Sequence, residues 1–94
     1  MSVVAALKVA GDPVKYLFWC PGCQSHMWFD TSGRWVWNGD VEKPTVQPSL
    51  LCFADNPEKR CHLYVVDGKL NFLNDCGHEY AGRVVAMETL PVGV

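Results

Sequence analysis

The cysteines and histidines of this chain fall into three short groups whose spacing is typical of a metal site. Cys20-Pro-Gly-Cys23 places two thiols on one tight turn, and the groups Cys61-His62 and Cys76-Gly-His78 follow later in the chain. Zn²⁺ is bound in proteins by four thiolate and imidazole ligands, often with two cysteines separated by two residues. The sequence therefore predicts one Zn²⁺, bound by residues from distant parts of the chain.

Cys20 and Cys23 are the first two expected zinc ligands. They flank Pro21-Gly22, a turn that points backbone amides at the two thiolates. Cys61 is expected to be the third ligand, because its side chain lies on the face of the predicted hairpin that points towards the core. Cys52 stands alone on an apolar run and is expected to be a core thiol. The odd number of cysteines, five, and the lack of a secretion signal favour metal-bound thiols over disulfides.

Two residues compete for the fourth coordination position. His78 and Cys76 both follow the predicted C-terminal hairpin, and zinc accepts Cys₃His as well as Cys₄ sets. We expect His78 to be the ligand, with Cys76 as the alternative. His62 is expected on the opposite face of its strand, near the surface or behind a ligand.

A catalytic metal would need an open coordination position and a nearby acid or base. Asp75, His26, His62 and Glu79 could supply that group. A full set of thiolates instead favours a closed structural site, and the sequence has no phosphate-binding loop, His-Glu-x-x-His motif or serine elbow. The sequence therefore favours a non-enzymatic protein. A small zinc-dependent hydrolase that uses Asp75, His62 and His78 is an alternative.

The clearest predicted element is a hairpin, in which His62–Val66 and Lys69–Leu73 are joined by Asp67-Gly68. Asp-Gly between two β-rich runs favours a two-residue type I′ turn, so the residues on either side of it should pair. Side chains alternate between the two faces of a strand, so Cys61 and His62 should point in opposite directions.

The rest of the chain reads as short strands separated by turns, without a window of helical periodicity. Pro44 and Pro48 are expected to keep their segment out of a central strand. We therefore predict one domain over residues 1–94, an all-β fold with two small antiparallel sheets or an open barrel, stabilised by the zinc site.

Composition restricts the choice of partner. The chain has 94 residues and a formal net charge of −2, with no basic stripe. This argues against nucleic acid, although a zinc-ribbon-like nucleic-acid binder is a further alternative. Trp28, Trp35 and Trp37 favour a core or a protein interface. No apolar run is long enough to cross a membrane. A protein partner is the expectation.

Several short motifs occur together in a specific order. They are Phe18-x-Cys20-Pro-Gly-Cys23-x-x-His26, Trp35-x-Trp37-Asn38-Gly39-Asp40, Lys43-Pro-Thr-x-x-Pro-Ser49-Leu, Cys61-His62, Asp67-Gly68, Asn74-Asp75-Cys76-x-His78 and Ala81-Gly82. Their combination resembles a small domain family of unknown function from tailed bacteriophages and prophages, whose members are often mislabelled ammonia monooxygenase. The resemblance covers residues 16 to 91. It implies a single metal-binding fold and favours His78 over Cys76, because the histidine is the more constant position in that family.

The site, the composition and the resemblance together predict a phage-encoded, zinc-stabilised accessory protein. It would act as a binding module for a protein of the host or of the virion. Its expected location is the host cytoplasm during infection, or the virion itself.

Overall fold

The described part of the chain folds into β-strands alone. The computed structural model describes residues 2–7, 10–11 and 14–90, and the strands within them are Ala5–Leu7 (β1), Lys15–Cys20 (β2), Ser25–Asp30 (β3), Val36–Trp37 (β4), Val46–Cys52 (β5), Cys61–Val66 (β6), Lys69–Phe72 (β7) and Val84–Ala86 (β8). They form two open antiparallel sheets, so the predicted all-β, two-sheet class is confirmed. In these residues no helix is long and apolar enough to cross a membrane.

The first sheet has the order β1-β2-β3, and it carries the first pair of cysteines. β2 and β3 pair without interruption up to Cys20 and Ser25. The inward side chains Phe18 and Cys20 are fully buried, while Met27 and Phe29 cover them from β3. The chain therefore leaves β2 with the thiol of Cys20 already inside the core.

The second sheet has the order β4-β5-β6-β7-β8, and the predicted hairpin forms its centre. Val66 pairs with Lys69 on either side of the turn, as expected. The turn residues Asp67 and Gly68 have φ values of 49° and 74°. Positive φ at both central positions is the signature of a type I′ turn, so the predicted turn type is confirmed.

β5 is irregular where it passes Tyr64 of β6. Three residues of β5, 47 to 49, lie opposite Tyr64 alone, between two regular pairs of the ladder. Pro48 lies in this interruption, where a residue without an N–H removes no ladder hydrogen bond. β5 nevertheless lies between β4 and β6, so the expectation that the prolines exclude this segment from a central strand is wrong for residues 46 to 48.

The core lies between the inner faces of the two sheets. Its largest fully buried side chains include Phe18, Phe29, Leu50, Leu63 and Leu70. Trp37 closes one side of this core, with its ring centroid 4.6 Å from that of Tyr16 and 5.6 Å from that of Phe29. Trp28 instead remains 43% exposed. The tryptophans thus divide between core and surface.

Candidate functional site

Three cysteine side chains meet between the two sheets. Cys20 ends β2, Cys23 follows on the turn, and Cys61 begins β6. Their sulfur atoms all lie within 4.8 Å of one another, and Cys20 Sγ is 3.5 Å from Cys61 Sγ. Thiolates of a tetrahedral zinc site are about 3.8 Å apart, as follows from a Zn–S length of about 2.3 Å. The three cysteines can therefore hold a metal ion.

The electrostatics of the three thiols also suit a cation. Hydrogen bonds from the side chains of Cys23 and Cys61 lower the pKa of the Cys20 thiol to about 3. The same bond to Cys20 raises the pKa of Cys23 to about 12 and raises the pKa of Cys61 as well. Cys20 is thus the thiol of the three that loses its proton most readily. A metal ion in place of the shared protons would allow all three to be thiolates.

His78 adjoins this cysteine group through one atom. Its Nε2 lies 3.4 Å from Cys61 Sγ, and its ring covers Gly22, where any Cβ would overlap the imidazole. The backbone N–H of Tyr80 donates to Nδ1 of His78 over 3.2 Å. In this arrangement Nε2 carries the ring proton and donates to Cys61. Coordination through Nε2 would move the ring proton to Nδ1 and break the Tyr80 hydrogen bond. His78 as the fourth ligand therefore stays a prediction.

Cys76, the alternative fourth ligand, contacts different atoms. Its Sγ accepts a hydrogen bond from the backbone N–H of His62 over 3.3 Å. The thiol also donates to the His62 carbonyl oxygen over 3.1 Å. The structure thus places Cys76 against the backbone of β6, outside the three-cysteine group.

A second group of polar side chains lies on the outer face of the second sheet. Ser49 Oγ is 2.9 Å from His62 Nε2, and His62 Nδ1 is 3.2 and 3.1 Å from the two carboxylate oxygens of Asp75. A carboxylate only accepts hydrogen bonds, so Nδ1 carries the proton and donates to Asp75. Nε2 is then free to accept the hydroxyl proton of Ser49. The three residues form a serine–histidine–aspartate array.

Each member of this array owes its position to a different local feature. Ser49 is the last residue of the interruption in β5. Bulges of this kind commonly change the direction in which a side chain points. His62 follows Cys61 on β6, so alternation turns its ring to the outer face while the thiol of Cys61 is buried. Asp75 lies on the turn that follows β7. The imidazole is 23% exposed and the carboxylate 44%, so the array is open to solvent.

The array has the geometry of a nucleophile activated by a general base. In such sites the imidazole takes the serine proton during attack, and the carboxylate fixes the tautomer and stabilises the charged ring. The observed distances lie within hydrogen-bond reach for each of these roles. The array therefore meets the distance requirement for activation of the Ser49 hydroxyl by His62.

The sequence indicates these residues only in part. Asp75 and His62 are expected from it as a possible acid or base beside a metal, but no sequence motif marks Ser49 as a nucleophile. The usual sequence signal for a nucleophilic serine, a Gly-x-Ser-x-Gly elbow, is absent here because Ser49 lies within a bulged strand. A signal was nevertheless present, since Ser49, His62 and Asp75 all fall inside the quoted motifs.

These features define an all-β protein with a serine–histidine–aspartate array on one face of a sheet and a cysteine group beneath it. A family model described as "Bacterial ubiquitination-like system serine protease (BubE)" matches residues 3–73. That span is more than half of the chain, so the chain belongs to the BubE family. It includes Ser49 and His62 and ends before Asp75. No curated protein and no solved structure matches the chain.

Proposed function

We propose that this chain is a serine protease of a bacterial ubiquitination-like system, with Ser49 as nucleophile, His62 as general base and Asp75 as the orienting carboxylate. The observation that carries the proposal is the continuous hydrogen-bonded path from Ser49 Oγ through the His62 ring to Asp75. The description of the family model supports the same chemistry independently.

Attack would begin with transfer of the Ser49 hydroxyl proton to His62 Nε2. As the proton leaves, Ser49 Oγ forms a bond to the substrate carbonyl carbon, and Asp75 stabilises the resulting imidazolium through its hydrogen bond to Nδ1. When the C–N bond breaks, His62 returns the proton to the departing amine. The products are a free amine and an ester on Ser49.

Water would complete the cycle by the same route in reverse. His62 Nε2 takes a proton from the water molecule while its oxygen attacks the ester carbon. The C–O bond to Ser49 then breaks, and Ser49 Oγ recovers a proton from His62. The net reaction is hydrolysis of one acyl bond, with all three residues restored.

The surroundings of Ser49 support a polypeptide substrate. Residues that pair across strands share a face, and the outer face of the second sheet, where Leu51 pairs with His62, carries several exposed apolar side chains. They include Leu51, which is 49% exposed, Tyr64, Val66 and Val84. An exposed apolar surface of this kind is typical of contacts with other proteins.

For the cysteine group we propose a structural zinc held by Cys20, Cys23 and Cys61, with His78 as the fourth ligand. When bound, the metal would link the two sheets by joining β2, the turn after it and β6. Cys61 precedes His62, and His78 lies three positions after Asp75. The segments that carry the imidazole and the carboxylate of the array would therefore each also carry a metal ligand.

A second candidate is the phage-encoded binding module predicted from the sequence. The exposed apolar side chains on the outer sheet face favour it, because they would suit a bound host or virion protein as well as a substrate. In that function the Ser49–His62–Asp75 contacts would only stabilise the fold, and the serine would be chemically inert.

Labelling with a fluorophosphonate separates the two candidates. Ser49 Oγ would bond to phosphorus, fluoride would leave, and His62 would take the hydroxyl proton. We expect one adduct per chain, which mass spectrometry locates on Ser49 and which Ser49→Ala abolishes. Ser32→Ala is the matched control, because the Ser32 hydroxyl is bonded to the carboxylate of Asp30 and not to an imidazole. A folded, metal-loaded protein that does not react would eliminate the protease proposal.

A further inference from the structure

Cys76 contacts both backbone polar groups of His62, although it belongs to neither functional group. The His62 N–H donates to Cys76 Sγ over 3.3 Å, and the thiol donates to the His62 carbonyl over 3.1 Å. The half-buried side chain of Cys76 therefore contacts the backbone of His62 on both sides of its Cα atom.

The end of the hairpin explains why a thiol occupies this place. Leu73 N–H donates to the His62 carbonyl over 2.9 Å, as the next rung of the β6–β7 ladder would require. The carbonyl of Leu73, however, accepts the N–H of Cys76 over 3.3 Å, because the chain turns at residues 74 and 75. The His62 N–H thus meets Cys76 Sγ where a regular ladder would offer a carbonyl.

The same turn carries Asp75. Cys76 follows it directly, and the N–H of Gly77 donates to the carbonyl of Arg60 over 2.8 Å. The segment that presents the carboxylate is therefore attached to His62 of β6 by the Cys76 thiol and to Arg60, just before β6, by a backbone hydrogen bond. The distance between Asp75 and the His62 ring depends on these attachments.

We propose that Cys76 is a positioning residue for the array, fixing the backbone of His62 relative to Asp75 and Ser49. The inference rests on the proposed function, since it concerns the efficiency of the same nucleophile. A displacement of about 1 Å in a catalytic group can lower a rate by about a hundredfold, so the hydrogen-bonding capacity of this side chain should be visible in the reactivity of Ser49.

Two variants separate hydrogen bonding from packing. Cys76→Ser keeps a group that both donates and accepts, while Cys76→Val keeps an apolar side chain of similar bulk that does neither. Cys52→Ala is the control, because Cys52 is also half-buried but is not bonded to His62. The measurements are the second-order rate of phosphonylation of Ser49, the metal content, the melting temperature, and the NMR signal of the His62 Nδ1 proton.

We expect Cys76→Val to slow phosphonylation by about ten- to a hundredfold and to shift or broaden the His62 Nδ1 signal. Cys76→Ser should recover most of the rate, Cys52→Ala should react like the wild type, and all should keep their metal. Equal rates in Cys76→Val and the wild type would overturn the inference. The inference would also be overturned if both Cys76 variants lost the same share of the phosphonylation rate in proportion to a fall in melting temperature. Loss of metal from either Cys76 variant would overturn it as well. An unreactive wild type would refute the proposed function instead.

Discussion

Cys61 and His62 are neighbours on β6, yet their side chains belong to different groups on opposite faces of the sheet. The thiol of Cys61 is fully buried and lies 3.5 Å from Cys20, while the ring of His62 lies outside and meets Ser49 at 2.9 Å. One strand thus carries a member of the cysteine group and a member of the array, and strand alternation keeps their side chains apart. Changes to either group can therefore be tested against the other.

The first prediction concerns folding. Metal binding to a multi-thiolate site contributes directly to the free energy of folding, so Cys20→Ser and Cys61→Ser should lower the melting temperature sharply or leave the protein insoluble. Cys52→Ala should lower the free energy of unfolding by at most about 2–3 kcal/mol, as the truncation of a side chain packed against the core does. Thermal unfolding and elemental analysis measure both effects, and the wild type should contain about one zinc per chain. If Cys52→Ala lowered the melting temperature as much as Cys20→Ser, the assignment of Cys20 as a metal ligand and Cys52 as a packing residue would be wrong.

The second prediction concerns the fourth ligand. If His78 coordinates the metal, His78→Ala should lose metal affinity while Cys76→Ser retains most of it. Competition with a chromogenic chelator measures both affinities. The converse result would establish a four-cysteine site. Mild, equal losses would show that the His78 ring keeps its hydrogen bond to Tyr80 and that another group completes the coordination.

Gly22 provides an independent test of the same contact. Any Cβ at this position would overlap the ring of His78, so Gly22→Ala should displace the imidazole from Cys61 and weaken metal binding. Gly33→Ala is the matched control, because a Cβ there has no heavy atom within 4 Å. Competition with the same chromogenic chelator measures the metal affinity of both glycine variants. Unchanged affinity in Gly22→Ala would indicate that His78 is dispensable for the metal.

How far the sequence predicts these features depends on how local they are. The Cys20–Cys23 turn and the Asp67-Gly68 hairpin were predictable because neighbouring residues determine each of them. The hairpin brings Cys61 close to Cys76 and His78, but the sequence could not decide which of these two faces the thiols. That choice depends on the turn at residues 74 and 75, which directs Cys76 to the backbone of His62.

The serine–histidine–aspartate array was harder to foresee because no local pattern encodes it. Ser49 and His62 are thirteen positions apart and meet only because β5 pairs with β6. The interruption of β5 then decides that the Ser49 hydroxyl faces the His62 ring. A serine is recognised as a nucleophile by its spatial neighbours, and those are set by strand pairing that the sequence did not reveal.

The fourth prediction concerns Asp75. Its carboxylate holds the proton of His62 on Nδ1, so Asp75→Asn should favour the wrong tautomer and slow phosphonylation of Ser49 by about a hundredfold or more. Asp55→Asn, a change at an exposed loop residue, serves as the control and should leave the rate unchanged. Metal content and melting temperature should be similar in both variants. A normal rate in Asp75→Asn would show that the carboxylate does not assist the imidazole.

The last prediction is that the metal and the nucleophile act separately. The cysteine group lies inside the fold and the array lies on the outer sheet face, so replacement of Zn²⁺ by Co²⁺ should leave the rate of Ser49 labelling unchanged. The cobalt protein should show the strong visible bands of a tetrahedral, thiolate-rich site, and azide should not alter them because a closed site offers no free position. Ser49→Ala should bind the same amount of cobalt with the same spectrum. A labelling rate that depends on which metal is bound, or a spectrum that responds to azide, would instead favour a zinc-dependent hydrolase.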